Sequence, residues 1–391
     1  MSTDPIVIVA ARRTPMGGFQ GALAGLTASQ LGAAAIRAAL DDAGLPGDAI
    51  DRGVMGCVLG AGQGQAPARQ ALLGAGLPQS VAAVTVNKMC GSGMQAAIDA
   101  HDALVAGSAD IMVAGGMESM TNAPYLLAKA RSGFRMGHGE IKDSMFLDGL
   151  EDAYEPGRLM GSFAEDCARD YQFTRVAQDE WAIRSTTRAQ QAIASGAFDA
   201  EVVAVAAKAG DVAVDEQPGK ARLDKIPTLK PGFAKDGTVT AANASSISDG
   251  AAALILMRES TAQAHGLAPL ARILGHSVHA QAPGQFATAP GPAIRKLLDR
   301  TGLAVADIDL WEINEAFAVV PMAAACDLGI DEDRINIHGG ACALGHPIGA
   351  SGARILVTLL HALRARGGGL GIASLCIGGG EATAMALEVR A

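Results

Sequence analysis

A chain of 391 residues with 49% hydrophobic content is about two to three times the usual domain length and can fill more than one core, which excludes a small stapled scaffold. Its 31 basic and 40 acidic residues give a formal net charge of −9 with no long run of like charge, so nucleic acid is not an expected partner. Only 18% of residues are charged, and the 49 glycines point to tight turns and close backbone approaches, not to disorder.

From the N-terminus, Ile6-Val7-Ile8-Val9 reads as a buried strand, with neither the basic region nor the cleavage site of a signal peptide before it. A helical pattern over 29–43, a strand over 54–59 and a helix over 66–76 follow, and this alternation predicts an α/β fold with layered sheets. Val84-Thr85-Val86 then leads into Met94, Ala97, Ile98, His101, Leu104 and Val105, whose spacing of three and four marks one buried helix face. Cys90 falls at that strand-to-helix junction.

From Met120 to about Ser246 the chain carries more charged and aromatic residues, turn signals at Pro156-Gly157 and Pro231-Gly232, and one helical pattern over 176–195. This predicts an inserted loop domain over 120–247, between a first half made of 1–119 plus about 248–270 and a second half over 271–391. In the second half, strands are expected at 310–313 and 370–377 and helices at 316–327 and 351–364. Residues 110–116 and 371–379 both run a buried strand into paired glycines, as a duplicated βα unit would. The uncharged stretch 335–353 holds five Gly, Pro347 and two His, which argues against a membrane span. The tail Glu388-Val389-Arg390-Ala391 is no peroxisomal address. Six scattered Cys without a C-x-x-C predict free thiols in a reducing cytoplasm.

Cys90, in Asn87-Lys88-Met89-Cys90-Gly91-Ser92-Gly93, stands ahead of a helix, where free N–H groups and the positive dipole end are expected to favour the thiolate and lower its pKa. The competing role is a small apolar filler. His346 lies in a Gly-rich loop opening the 351–364 helix, with little side-chain cover, and suits a base near a nucleophilic Cys. Cys376 ends an apolar strand before Gly378-Gly379-Gly380, whose N–H groups suit an anionic oxygen. Asn314-Glu315 also ends a strand, where helix capping competes with catalysis. Gly60, Gly62 and Gly64 fall one residue short of a dinucleotide fingerprint. His276 and His279 could share a helix face, but no further ligand is near in sequence, so no metal site is expected.

The segments Asn87–Gly93, Asn314-Glu315-Ala316-Phe317, Gly345–Gly352 and Cys376–Gly380, in that order, strongly resemble the thiolases, the acyl-CoA acetyltransferase family. Gly115-Gly116-Met117-Glu118-Ser119-Met120 and Asn243-Ala244-Ser245 match as well, so the resemblance covers nearly the whole chain. It implies a duplicated α/β/α/β/α core, a loop domain that helps bind coenzyme A, and a homodimer or homotetramer. It implies no permanently bound cofactor, with coenzyme A and acyl-CoA as substrates. Cys90 would carry the acyl group, assisted by His346, and Cys376 would handle the α-proton. The N–H groups of Cys90 and Gly378 would hold the thioester oxyanion; His346 and a water on Asn314 would hold the enolate oxygen. Ser245, Phe233, Met160, Ala316 and Phe317 would line the pantetheine path, with Lys220 or Arg222 at the phosphates.

Three positions depart from the family's pattern. Leu159 replaces a His frequent in acetoacetyl-specific members, which predicts a longer or more apolar acyl chain. Cys342 stands at a usually aliphatic position and would be open to oxidation. Glu381 follows the last glycines where Gly is common. A related ketoacyl synthase would be expected to use two His or a His-Asn pair in place of Cys376, and a redox-responsive or coenzyme-A-binding scaffold would use Cys90 and Cys376 as a thiol pair.

Overall fold

A computed structural model gives the structure of residues 4–390. Nine strands, β1 (Ile6–Arg13), β2 (Arg52–Gly56), β3 (Ala82–Val86), β4 (Ile111–Ser119), β5 (Ser248–Arg258), β6 (Ala271–Ala280), β7 (Leu310–Ile313), β8 (Gly369–Ile377) and β9 (Glu381–Val389), run side by side in the order β7-β8-β9-β6-β1-β5-β4-β2-β3. The two-residue strand Gly17–Gly18 adds to β5. The main helices are α1 (Ala28–Ala43), α2 (Pro67–Gly74), α3 (Ser92–Val105), α4 (Met160–Asp170), α5 (Arg175–Ala194), α6 (Pro290–Thr301), α7 (Val319–Leu328) and α8 (Ser351–Ala365).

The sheet is one unit used twice. In the first half β2 runs parallel to β3 and β4, while β5 is antiparallel to β4 and β1. In the second, β7 runs parallel to β8 and to a bridge between Trp311 and Ile335, while β9 is antiparallel to β8 and β6. The halves meet through Val7↔Arg272 and Ile8↔Ala271. Asp51 and Asp309 mark the repeat: each donates its N–H to the first turn of the neighbouring strand, at Ile111 O and Leu370 O, and each carboxylate accepts that residue's N–H. This equates Ile111 with Leu370. The duplication is therefore present, but the paired glycines are not what is repeated: Gly115 and Gly116 lie inside β4, whereas Gly378 and Gly379 lie beyond the end of β8.

Strand alternation sorts the side chains into layers. Ile6, Ile8, Met112, Leu254 and Leu256 from the first half and Leu375, Met385 and Leu387 from the second face a central layer of α3 and α8. Val7, Val113, Ile255 and Met257 face α1 and α2 on one outside; Ile372, Ala384 and Ala386 face α6 and α7 on the other. At the centre the starts of α3 and α8 cross without side chains between them. A Cβ on Gly93 would lie 2.7 Å from Ala353 N, and one on Gly352 would lie 2.3 Å from Met94 N. That contact brings together the loops just ahead of both helices, which carry Cys90 and His346.

Between β4 and β5 the chain runs outside this sheet over 120–247, with α4, α5 and two short two-stranded ladders. Helix α4, absent from the sequence reading, buries Phe163, Ala164, Cys167 and Ala168 along one face. His276 and His279 lie on strand β6, not on a helix, so their spacing of three turns them to opposite faces. Among the described residues no helix is long and apolar enough to cross a membrane.

Candidate active site

The turn between β3 and α3 presents Cys90. Met89 sits at φ 47°, a left-handed conformation for a residue with a side chain. Ser92 holds the turn, its Oγ accepting the Lys88 N–H at 2.8 Å and donating to Met89 O at 2.6 Å. Cys90 packs beside Val58, Met120, Met145 and Ile348, the last from the His346 loop. Burial pushes its thiol up to about 11, while the N–H groups of Gly378 and of Cys90 itself, both directed at the sulfur, pull the other way. The low pKa expected from the helix start is thus overturned, because loss of water around the sulfur outweighs the two dipoles.

His346 is buried, with its N–H bonded to Ser246 O at 3.1 Å. Its Nδ1 lies 2.5 Å from Ser351 Oγ, and that hydroxyl donates to Pro347 O at 3.0 Å. Nδ1 is thus engaged by the Ser351 hydroxyl, while Nε2 is left without a partner. Burial, and then the charge of Arg354, bring the imidazole down to about 3, so it is neutral at physiological pH. Asn314, past the end of β7, places Nδ2 3.5 Å from the ring. Both His346 Nε2 and Asn314 Oδ1 are buried without a hydrogen-bond partner. Unsatisfied buried groups are costly, and two on adjoining side chains mark a place where another molecule is expected.

Cys376, near the end of β8, is fully buried, and its thiol is pushed well above its ordinary value by burial and then by the neighbouring Cys90. Beyond it Gly379 and Gly380 turn the chain at positive φ, leaving the Gly378 N–H facing Cys90. Cys342 is likewise raised, by burial and then by Glu315.

Two carboxylates hold the frame: Glu118, to which the sequence reading gave no role, and Glu315, for which it set helix capping against catalysis. Glu118, at the end of β4, accepts N–H bonds from Val58 at 2.9 Å, Leu59 at 3.2 Å and Gly349 at 2.9 Å, tying a first-half loop to the His346 loop. Burial raises its carboxyl to about 7, against those bonds. Glu315 does not cap a helix. It accepts from Trp181 Nε1 at 3.0 Å, Ser185 Oγ at 2.7 Å, Asn336 Nδ2 at 2.8 Å and Cys342 N at 3.0 Å, fixing α5 against the second half. For Glu118 the available signal was a lone acid at the end of the otherwise apolar β4. Glu381 pairs with Lys88, which joins the last glycine turn to the Cys90 turn.

The residues expected along the pantetheine path also gather here. Ser245 N–H donates to Ala316 O at 3.0 Å, and Ala244 bridges Phe317. The Phe233 ring meets Phe317 edge-on at 6.1 Å and lies over Gly161, next to Met160. Met160 Sδ would be 3.6 Å from a Cβ at Gly378. Lys220 and Arg222 stand apart, exposed, pairing with Glu216 and Asp224.

The profile of the thiolase N-terminal domain matches residues 6–260, and that of the thiolase C-terminal domain matches residues 267–389. An acetyl-CoA acetyltransferase of Escherichia coli is 51% identical over 98% of both chains. Acetyl-CoA acetyltransferase 2 of Arabidopsis thaliana is 49% identical, covering 98% of this chain and 97% of its own. The crystal structure of the Acat5 thiolase from Ascaris suum in complex with coenzyme A superposes with a TM-score of 0.95 at 42% identity, over 98% of this chain and 100% of that one.

Proposed function

The chain belongs to the thiolase family of acyltransferases, and from that premise we propose that Cys90 exchanges an acyl group with coenzyme A while Cys376 and His346 move the protons. In cleavage, the Cys90 sulfur attacks the ketone carbon of a 3-ketoacyl-CoA as its proton passes to His346 Nε2. The bond to the α-carbon breaks, and that carbon takes the Cys376 proton, releasing acetyl-CoA and leaving acyl-Cys90. Coenzyme A then attacks the thioester. Its thiol proton restores Cys376, and His346 returns its proton to the departing Cys90. Condensation runs the same path backward. A soft thiolate is both nucleophile and leaving group, so the acyl-enzyme can form and transfer onward. The N–H groups of Cys90 and Gly378 oppose charge on the thioester oxygen, and His346 with an Asn314-held water opposes it on the enolate.

The observation that carries this reading is the pair of unpartnered buried atoms, His346 Nε2 and Asn314 Oδ1. A ketoacyl synthase or a non-catalytic thiol scaffold is not favoured beside a match to the thiolase profiles along the chain. Incubation with acetyl-CoA followed by peptide mass spectrometry is expected to place one acetyl group on Cys90. An adduct on Cys376 or Cys342, with Cys90→Ala still active, would overturn the assignment.

The loop segment 120–247 is inferred to help hold coenzyme A through Phe233, Ser245 and Met160, with Lys220 or Arg222 at the phosphates. The acyl group transferred is inferred to be acetyl, supported by the names of the relatives above, with acetoacetyl-CoA as the cleavage substrate. Leu159 favours a second reading. It caps α4 beside Met160 with an apolar side chain, which rewards a longer acyl tail by about 0.8 kcal/mol per buried methylene. Thiolysis rates across a chain-length series, with Leu159→His beside the wild type, decide between them. A homodimer or homotetramer is supported by the outer strand β3, where Val84 is 47% exposed, and by Leu127, Phe134, Met136 and Ile141 in the loop segment. Light scattering reads that directly. Six unpaired thiols support a reducing, cytoplasmic setting, and 3-ketoacyl-CoA chemistry a role in fatty acid metabolism.

A further inference from the structure

Far along α3 from the Cys90 turn, the helix meets strand β6 of the other half of the molecule. There His101 Nδ1 lies 3.0 Å from Asp102 Oδ1, and His276 Nε2 lies 2.9 Å from the same oxygen. The two imidazoles stand edge to face, with centroids 4.9 Å apart. One donor atom from each of the three residues falls within 4.8 Å of the others, and among the described residues no other such trio of His, Cys, Asp and Glu occurs. The rings are largely covered at 17% exposed, while the carboxylate is 60% exposed, so the group is held from below and open to solvent above.

We propose that His101, Asp102 and His276 form a binding site for a zinc-type divalent cation, separate from the catalytic thiols. Two imidazole nitrogens and one carboxylate oxygen are borderline-soft ligands that zinc takes at about 2.0–2.2 Å. Ligand atoms at that range sit somewhat over 3 Å from one another, so side-chain rotation without backbone movement is enough to admit the ion. Water completes the coordination on the exposed side. In the cation-free state each ring donates a proton to Asp102. On binding, each ring turns its bare nitrogen to the ion and carries its proton on the outer nitrogen, which faces away from it. Sequence spacing hides the site, because Asp102 and His276 are distant along the chain, and the His nearest to His276 in sequence, His279, instead places Nε2 3.0 Å from Gln281 Oε1. A bound ion would fasten α3 of the first half to β6 of the second.

The competing account is a carboxylate that merely accepts two hydrogen bonds. His276→Gln and His101→Asn separate the two, since each keeps an N–H directed at Asp102 and removes a ligand. Titration of the metal-stripped full chain with ZnCl2 by calorimetry is expected to find one zinc at this site, with affinity falling at least about tenfold in either variant. Zinc is also expected to raise Tm in the wild type and not in the variants, while both variants keep their thiolysis activity in metal-free buffer. Co2+ bound to the wild type, read by visible absorption, reports nitrogen and oxygen ligation without relying on any variant folding. Equal zinc affinity in wild type and variants, loss of binding in Cys90→Ala, sulfur-to-cobalt charge-transfer bands alone, or no binding at all would each overturn the proposal.

Discussion

The two halves of the sheet repeat one topology and divide the chemistry unequally. Ahead of the central helix, the first half presents a thiol, Cys90, and the second presents an imidazole, His346. Each half also uses a buried glutamate to collect several N–H or O–H donors, but at different places in the repeat. Glu118 ends β4 and reaches across to Gly349 of the other half, whereas the matching end of β8 carries Cys376 and Ile377. The second half's carboxylate, Glu315, stands past β7 and faces α5, away from the thiols. By that register Glu118 corresponds to Ile377, so the second strand end carries no carboxylate, and Cys376 stands one position earlier with the glycines behind it. In the proposed mechanism a duplicated frame thereby supplies a nucleophile from one copy and proton handling from the other.

The largest effect expected from disturbing this division is kinetic. Cys376→Ala should still form acetyl-Cys90 from acetyl-CoA but lose carbon-carbon cleavage by about 10² or more, the scale of a missing general acid or base. Stopped-flow comparison of the two half-reactions checks it, and equal loss of both would mean that Cys376 only fills space.

The clamps come next. In Glu315→Gln the amide NH2 must face either the Trp181 and Asn336 N–H groups or the Cys342 N–H, and a loss of about 2 kcal/mol in urea unfolding is expected. Glu118→Gln can point its NH2 toward Leu59 N–H and Cys57 while keeping one oxygen for Val58 and Gly349, so about 1–2 kcal/mol is expected near pH 5. The two should also differ in pH dependence. A carboxyl raised to about 7 in the folded state contributes stability that is full below the unfolded value near 4.5 and is lost as pH rises through 7. Wild type minus Glu118→Gln should therefore shrink between those values. A difference that grows with pH would show the buried carboxylate to be charged throughout.

A third test concerns the resting proton. With Cys90 near 11 and His346 near 3, the pair rests as neutral thiol and neutral imidazole, not as an ion pair. Iodoacetamide alkylation of Cys90 should then rise about tenfold per pH unit from 7 to 9. A rate plateau already reached at pH 7 would mean that the thiolate is preformed.

The frame was legible where backbone chemistry punctuates the chain. Apolar runs ending in glycine marked β4 and β8, and the glycine-flanked Cys90 and His346 stood out because little else in their segments could fill a core. The structure brings both to the crossing of α3 and α8. What sequence could not supply was the balance of opposing terms. A helix start favours a thiolate, but how much water is removed from the sulfur depends on Val58, Met145 and Ile348, which come from remote segments. Glu118 was invisible as a clamp for the same reason, since its partners lie in two loops about 60 and 230 positions away. Helix α4 was missed although its apolar positions recur at three and four, because charges interleave with them.

The smallest expected effect concerns Glu381, which replaces a common glycine and pairs with Lys88 across the boundary between the halves. Lys88 lies two residues before Cys90, and Glu381 follows the turn that carries Gly378, so the pair spans both sources of the oxyanion N–H groups. Position alone would suggest a large contribution. Exposure argues otherwise: Lys88 is 22% and Glu381 34% exposed, water screens the charges, and ordering two flexible side chains offsets much of the attraction. The turns are in any case fixed without it, by Ser92 on one side and the β8–β9 ladder on the other. A double-mutant cycle of Lys88→Met and Glu381→Gln should give a coupling of at most about 1 kcal/mol in stability, decreasing with added salt, and kcat/KM within about threefold of wild type. Coupling above about 2 kcal/mol in the transition state would instead mean that this ion pair, and not the glycine turn itself, aligns the two halves around Cys90.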